Sequence, residues 1–135
     1  MTSLPQLCVA TSFFEIEPGE DADTNPGIYG RAFANWIAER LKERGESVEE
    51  IVSEDWGRCV IVTRKPYLLW IGCGNRAGRT DEWGAFVVAE PGLLQRLSGS
   101  VDLRTAVDRL HQVLDEIMHE VPQATRVWSE DPPRR

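Results

Sequence analysis

A tryptophan-glycine step that occurs twice near the middle of the chain constrains the fold more than any other sequence feature. Asp55-Trp56-Gly57 precedes one mostly apolar run, and Glu82-Trp83-Gly84 precedes another. In both copies the acids suit water, the glycine lets the backbone turn, and the apolar run suits a core strand. The repeat therefore predicts two equivalent strand starts, each with its tryptophan folded over the edge of an antiparallel sheet.

Hydrophobic periodicity predicts the order strand, helix, four strands, helix and a last strand. The first helix is expected to begin at the cap Asn25 and to end at Gly45, and the second to begin at Asp102. Short connections favour antiparallel pairing. The sequence thus predicts an α+β fold, with an antiparallel sheet of about five strands and two long helices packed on one face. The strands are expected at 6–16, 48–53, 58–64, 67–73, 83–89 and 124–129.

Three of the middle strands are apolar on both alternating faces, as in residues 59–62, 67–71 and 85–89. A sheet with one face in water would alternate apolar and polar residues instead. The second face should therefore be covered by the N-terminal strand and loop, by a second copy of the chain, or by another protein. We expect a homodimer through this face.

Length, charge and cysteine content narrow the class of protein. The 135 residues suit one α+β domain over 1–135, with 130–135 expected as a frayed tail. The net charge of −7 argues against nucleic acid as a partner, and no apolar run approaches the ~20 residues that a membrane span needs. The cysteines lack CxxC spacing, and no base precedes the first apolar stretch, so a cytoplasmic location is expected.

Charge is unevenly distributed along the chain. Residues 1–30 carry acids but no lysine or arginine, whereas residues 58–80 carry bases but no acid. The basic segment could form a local anion site, because clustered arginines bind phosphate or carboxylate groups. Alternatively, the two segments face each other or face water.

Paired carboxylates mark two predicted strand starts, at Glu54-Asp55 and at Asp81-Glu82. They could supply acid-base groups or oxygen ligands for a cation. They could equally keep the ends of apolar strands in solution. No neighbouring histidine supports the catalytic alternative.

The loop 74–80 is the better candidate for a ligand site. Its two arginines, its amide side chain and its backbone N–H groups could together hold a phosphate or carboxylate. The expected binding residues are Asn75, Arg76 and Arg79, with Arg58 and Trp56 close by. The competing interpretation is an exposed hairpin loop whose arginines are hydrated.

Catalytic motifs are weak in this chain. Cys73 lies between two glycines, but a nucleophilic cysteine needs a nearby base. Both histidines, His111 and His119, are expected on the second helix, so a small buried Cys73 is the favoured interpretation. No dinucleotide or P-loop motif is present, and we expect no cofactor and no metal. Binding is therefore favoured over catalysis.

Tryptophan content is the strongest indication of function. Five tryptophans exceed the needs of one helix-sheet core, and tryptophan is enriched at binding hot spots. Trp56, Trp70 and Trp83 are expected on the sheet, where they could line a pocket or an interface. We therefore predict an acidic interaction protein that binds a protein partner, or itself, through a tryptophan-rich sheet face. Immunity-type inhibitors and secretion chaperones share this size and charge, a likeness that rests on no motif.

The alternative is a small-molecule or anion-binding domain, or a modest enzyme, with its pocket at the strand ends. In that case the polar candidates would converge on a concave cavity with an apolar tryptophan floor. Those candidates are Glu54, Asp55, Asn75, Arg76 and Arg79.

Overall fold

The computed structural model describes residues 2–92 and 103–131, and within them it confirms the predicted α+β class. Six strands form one antiparallel sheet, rather than about five, in the order β3-β4-β5-β6-β2-β7. A two-residue strand, β1, pairs with β6. The elements are β1 Thr2–Ser3, β2 Gln6–Ala10, α1 Arg31–Glu43, β3 Glu50–Glu54, β4 Gly57–Thr63, β5 Leu68–Asn75, β6 Glu82–Glu90, α2 Leu103–Met118 and β7 Arg126–Glu130.

The position of β2 in the sheet could not be read from the sequence. Strands β3 to β6 follow one another as a meander, and β2 then lies between β6 and β7. Cys8 of β2 is opposite Gly84 on one side and Trp128 on the other. This arrangement brings β2 and β7 next to the glycine-containing ends of β5 and β6.

Both helices pack on one face of the sheet, as predicted. Helix α1 contacts β4 and β5, and helix α2 contacts β6 and β2. The core between helices and sheet includes Phe33, Leu41, Leu110, Ile71 and Val87, none of which is exposed. Each such side chain contributes roughly 1.5–3 kcal/mol of transfer free energy, so this layer is the main source of stability.

The opposite face of the sheet, which we call the open face, carries a second and smaller apolar cluster. It consists of Cys59, Ile61, Trp70, Phe86 and Val88, and none of them is more than 8% exposed. The prediction that the middle strands are apolar on both faces is therefore confirmed.

Part of the cover of the open face comes from the turn that carries Trp56, the first of the two tryptophans predicted to fold over the edge of the sheet. The turn between β3 and β4 places the Trp56 ring 5.7 Å from that of Trp70 and 5.5 Å from that of Phe86. These centroid distances are typical of packed aromatic pairs. The chain thus covers some of its second face with its own turn.

Helix α1 begins later than predicted. The expected cap, Asn25, lies outside the helix, which starts at Arg31. Instead, the Glu20 carboxylate accepts the backbone N–H groups of Gly30 at 3.0 Å and Arg31 at 3.1 Å. A distant carboxylate therefore satisfies donors that a neighbouring cap residue usually satisfies.

The end of helix α1 is confirmed. Gly45 has a φ of 83° just past the last turn, a conformation that glycine adopts without strain. Its N–H donates to Lys42 O, and the N–H of Glu46 donates to Leu41 O. Together these two bonds form a Schellman motif.

The first long strand is shorter than the predicted 6–16. The chain leaves the sheet after Ala10 because the Thr11 hydroxyl donates to Pro122 O at 2.8 Å and accepts the N–H of Phe13 at 3.1 Å. This turn sends Phe14 into the core, 5.1 Å from the ring of Phe33. An aromatic anchor replaces the predicted second half of the strand.

The C-terminal elements agree with the prediction in outline. The apolar stripe of α2 is buried, while its predicted cap, Asp102, lies outside the described residues. Strand β7 continues to Glu130, so the first residue of the predicted tail 130–135 belongs to the sheet, and residues 132–135 lie outside the described part. No helix in the described ranges is both long and apolar enough to cross a membrane.

Candidate functional site

A groove of about 610 Å³ opens on the open face where β5 and β6 approach their shared loop. We call it the glycine groove, because Gly74 and Gly84 lie opposite each other across these strands in its lining. A Cβ on Gly84 would lie 2.8 Å from Gln6 Cδ, whereas one on Gly74 would meet nothing closer than 3.7 Å. Glycine in a strand often marks such a close approach or open floor. The groove is also lined by Trp56, Phe86, Gln6, Asn75, Arg76 and Glu130.

Trp56 forms the aromatic wall of the glycine groove. It lies in the two-residue connection that joins Glu54 of β3 to Gly57 of β4, and 37% of its surface is exposed. Beneath it, Phe86 fills the space above Gly72, where an added Cβ would lie 2.3 Å from Phe86 Cζ. The indole is therefore supported from below by a packed ring and is open to solvent above.

The polar wall of the groove is a charge network around Arg76. Its guanidinium donates to Glu82 at 2.8 Å and also pairs with Glu130. It lies 5.3 Å from the Trp128 ring centroid. The hydrogen bond from Arg76 holds the pKa of Glu130 below its usual value, and the same bond raises the pKa of Arg76. Arg76 is thus matched by two carboxylates of the same chain.

The other two candidates of the loop 74–80 have structural contacts. Asn75 Oδ1 accepts the N–H of Tyr29 at 2.9 Å, and its Nδ2 donates to Gly27 O at 3.0 Å and Arg79 O at 2.8 Å. Arg79 makes two bonds to Asp81, at 2.9 and 3.0 Å. Asn75 therefore fastens two loops together at the edge of the groove, whereas Arg79 does not line it.

Arg58 lies away from the groove and is 2% exposed. Its Nη2 donates to Glu20 O at 2.9 Å, and its Nη1 lies 3.5 Å from Glu20 Oε2. Burial acts to raise the pKa of Glu20, but the N–H donors of Arg31, Gly30 and Glu17 and the Arg58 charge outweigh it and lower that pKa. At the Glu20–Arg58 contact, the acidic segment 1–30 and the basic segment 58–80 face each other. This is the predicted alternative to an anion site.

Trp83 does not belong with Trp56 and Trp70. It is 1% exposed on the helix side of the sheet, and its indole N–H donates to Thr11 O at 3.3 Å. The two tryptophan-glycine steps are not equivalent because Trp56 lies in a turn, whereas Trp83 already lies within β6. Alternation along β6 then directs Trp83 to the core, so the prediction of two equivalent strand starts is wrong.

Glu54 and Asp55 immediately precede Trp56 and are exposed. Across the described ranges their side chains make neither a hydrogen bond nor an ion pair, although Asp55 O accepts the N–H of Asn25 at 2.8 Å. Glu54 also lines a second groove of about 410 Å³, together with Trp56, Trp70 and Glu90. The indole N–H of Trp70 donates to the Glu90 carboxylate there at 2.9 Å.

The geometry gives no support to a cysteine nucleophile. Cys73 is 1% exposed, and burial raises the pKa of its thiol far above the usual value. His111 and His119 instead line a separate groove beside β7. Over residues 2–92 and 103–131, no three His, Cys, Asp or Glu side chains are grouped so as to hold a metal ion.

Several lining residues were not predicted. Gln6, Phe86 and Glu130 come from three separate strands, so only the strand order brings them to one groove. The glycines within β5 and β6 were the available signal, because a strand glycine indicates a missing side chain on one face.

Comparison with known proteins finds no family model, no curated protein and no solved structure that matches this chain. The function proposed for this chain therefore rests on its residues and their geometry.

Proposed function

We propose that this protein is an interaction module that binds another protein through the open face around Trp56. The observation that carries the proposal is the indole of Trp56, which is 37% exposed yet packed against Trp70 and Phe86. An aromatic side chain that is already fixed loses little conformational freedom on binding, and tryptophan is a frequent hot-spot residue.

The glycine groove beside Trp56 supplies the second part of such an interface. Its volume of about 610 Å³ has room for a projecting side chain of a partner, and Gly74 adds no side chain to the lining. Its lining also includes the polar side chains of Gln6, Asn75 and Glu130. Hot spots are commonly anchors set in pockets with a polar surround.

Two occupants of this face compete in the proposal, a different protein and a second copy of the chain. The predicted homodimer would bring together two chains that each carry a net charge of −7. Like charges oppose association, so a different protein is the favoured occupant. Trp56 would be central to either assembly.

A small-molecule site is the second candidate, and one observation favours it. Trp56, Asn75 and Arg76 converge on a single groove whose volume lies within the range of ligand pockets. Against it, Arg76 is already matched by Glu82 and Glu130. A protein segment, which needs only shape and a few polar groups, suits the groove better than an anionic ligand.

The proposal includes a cytoplasmic location. All three cysteines, Cys8, Cys59 and Cys73, are buried, and none of them forms a disulfide bond. Reduced buried thiols are typical of reducing compartments.

Site-specific photo-crosslinking in cells that express the protein tests the proposal. A photoreactive phenylalanine analogue replaces Trp56 in one variant and Phe13 in a matched control, since Phe13 is the comparably exposed aromatic at 38%. We expect a discrete protein adduct from position 56 and none from position 13. Equal labelling from both positions, or none from position 56, would contradict an interface at Trp56.

A further inference from the structure

We propose that the partner of the open face presents a cationic side chain, arginine or lysine, to Trp56, Glu54 and Asp55. This inference rests on the proposed function and adds the chemistry of the partner, namely a basic protein segment. It is based on a difference in ion pairing within the described part of the chain: the two acids beside Trp56 are unpaired, whereas most other charged side chains are paired.

Most charged side chains of the described residues already have a partner of opposite sign. Arg44 pairs with Glu116 at 2.6 Å, and Arg109 pairs with Glu46 at 2.9 Å. Arg64, the base that lines the second groove, pairs with Glu50. Intramolecular pairing of this kind leaves little charge for a ligand.

Glu54 and Asp55 do not follow this pattern, and they are next to the exposed Trp56 in the chain. Both are exposed, and neither has an ion-pair partner within residues 2–92 and 103–131. Glu54 shares its groove with the Glu90 carboxylate. With Arg64 neutralised by Glu50, the turn and its groove carry an excess of negative charge.

A guanidinium or ammonium group matches this combination of groups. The face of an indole attracts a cation, with tryptophan the most favourable ring. The unpaired carboxylates of Glu54, which lines the same groove as Trp56, and of Asp55, which precedes Trp56 in the chain, add charge-assisted hydrogen bonds. Because these carboxylates have no partner to lose, binding a cation there breaks no existing contact of the chain.

The negative charges around Trp56 disfavour both an anionic ligand and a second copy of the chain. An anionic ligand would meet Glu54, Asp55 and Glu90, while Arg58, Arg76 and Arg79 are already paired with carboxylates of the chain. A second copy of the chain would bring the same unpaired acids to the interface. Charge complementarity therefore selects a basic protein segment.

Nuclear magnetic resonance titration with defined peptides tests this inference. The reporter is the indole N–H resonance of Trp56, assigned as the signal that Trp56→Phe removes. The probes are blocked Gly-Arg-Gly, its neutral citrulline analogue and blocked Gly-Glu-Gly. Variants Glu54→Gln and Asp55→Asn remove the proposed contacts, and Glu15→Gln is the control, because Glu15 is exposed on a different segment.

We expect a saturable shift of the Trp56 resonance with the arginine peptide. Citrulline, Glu54→Gln and Asp55→Asn should each weaken binding by roughly threefold to fivefold, and added salt should weaken it further. Glu15→Gln should leave it unchanged.

Equal binding of the citrulline peptide, no effect of the two acid variants, or no shift with the arginine peptide would each overturn the inference. Any of these with an adduct still formed at position 56 leaves the proposed function standing. A missing adduct at position 56 would remove both.

Discussion

The Trp56 ring lies 5.5 Å from the Phe86 ring, and Phe86 itself occupies the space that a side chain at position 72 would need. Trp56, a turn residue, thus packs on Phe86, and Phe86 fits there only because position 72 is a glycine. This stack holds an exposed indole in place at the edge of the glycine groove. It links the fold of the open face to its proposed function.

Gly72→Ala should disturb this stack. The new Cβ would lie 2.3 Å from Phe86 Cζ, so Phe86 must move and Trp56 loses its support. We expect a loss of about 1–3 kcal/mol in the free energy of unfolding, measured with urea. Gly74→Ala is the control, because its Cβ meets nothing closer than 3.7 Å. Equal losses in the two variants would contradict this account of the stack.

Trp83→Ala and Trp56→Ala should differ strongly in stability. Trp83 is 1% exposed and lies 5.7 Å from the Phe33 ring, so its removal opens a core cavity that costs about 3–5 kcal/mol. Trp56→Ala removes a partly exposed ring and its contacts with Trp70 and Phe86, and should cost about 1 kcal/mol. Thermal unfolding followed by circular dichroism measures both. Similar losses would mean that the two tryptophans are equivalent after all.

Glu20→Gln should change the acid stability of the protein. The folded state lowers the pKa of Glu20 below 4.5, so its carboxylate stabilises the fold above that value. This contribution is lost as the pH falls through the lowered pKa. The variant should be less stable by about 1–2 kcal/mol at pH 7 and should lose less stability than the wild type below pH 4.5. Urea unfolding at pH 7 and at pH 3 measures both effects, and identical acid slopes would contradict the role of Glu20.

Arg58→Met should be more damaging than Arg79→Met. The Arg58 side chain is buried against Glu20, and its loss leaves that buried carboxylate without its neighbouring charge, at a cost of about 3 kcal/mol. Arg79 is half exposed and pairs with Asp81 in water, so its loss should leave the stability nearly unchanged. Denaturant midpoints of the two variants compare them directly. A larger loss for Arg79→Met would show that the buried pair is not important for stability.

Periodicity was sufficient for much of the fold. The apolar stripes of the two helices and the glycine past α1 depend on residues close together in the chain, so the order of elements and the α+β class could be predicted. The doubly apolar middle strands also predicted a second cluster, now seen around Trp70 and Phe86. Local patterns of this kind are the most reliable part of a sequence interpretation.

Contacts between distant residues limited the prediction of the site. Glu20 replaces Asn25 as the group that satisfies the start of α1, although it is 11 residues before Arg31 in the chain. Glu130 reaches Arg76 only because β7 pairs with β2. The turn at Trp56 and the strand at Trp83 have nearly the same local sequence, and the position of each step relative to its strand decides which face the tryptophan occupies.

Native mass spectrometry of the gently purified protein tests the central claim most directly, with Trp56→Ala and Phe13→Ala measured beside the wild type. An interaction module that works through Trp56 predicts a complex of two polypeptides in the wild type. This complex should persist in Phe13→Ala and fall to the protomer in Trp56→Ala. A protomer that carries only a small mass removable by denaturation, or a complex indifferent to Trp56→Ala, would contradict the claim.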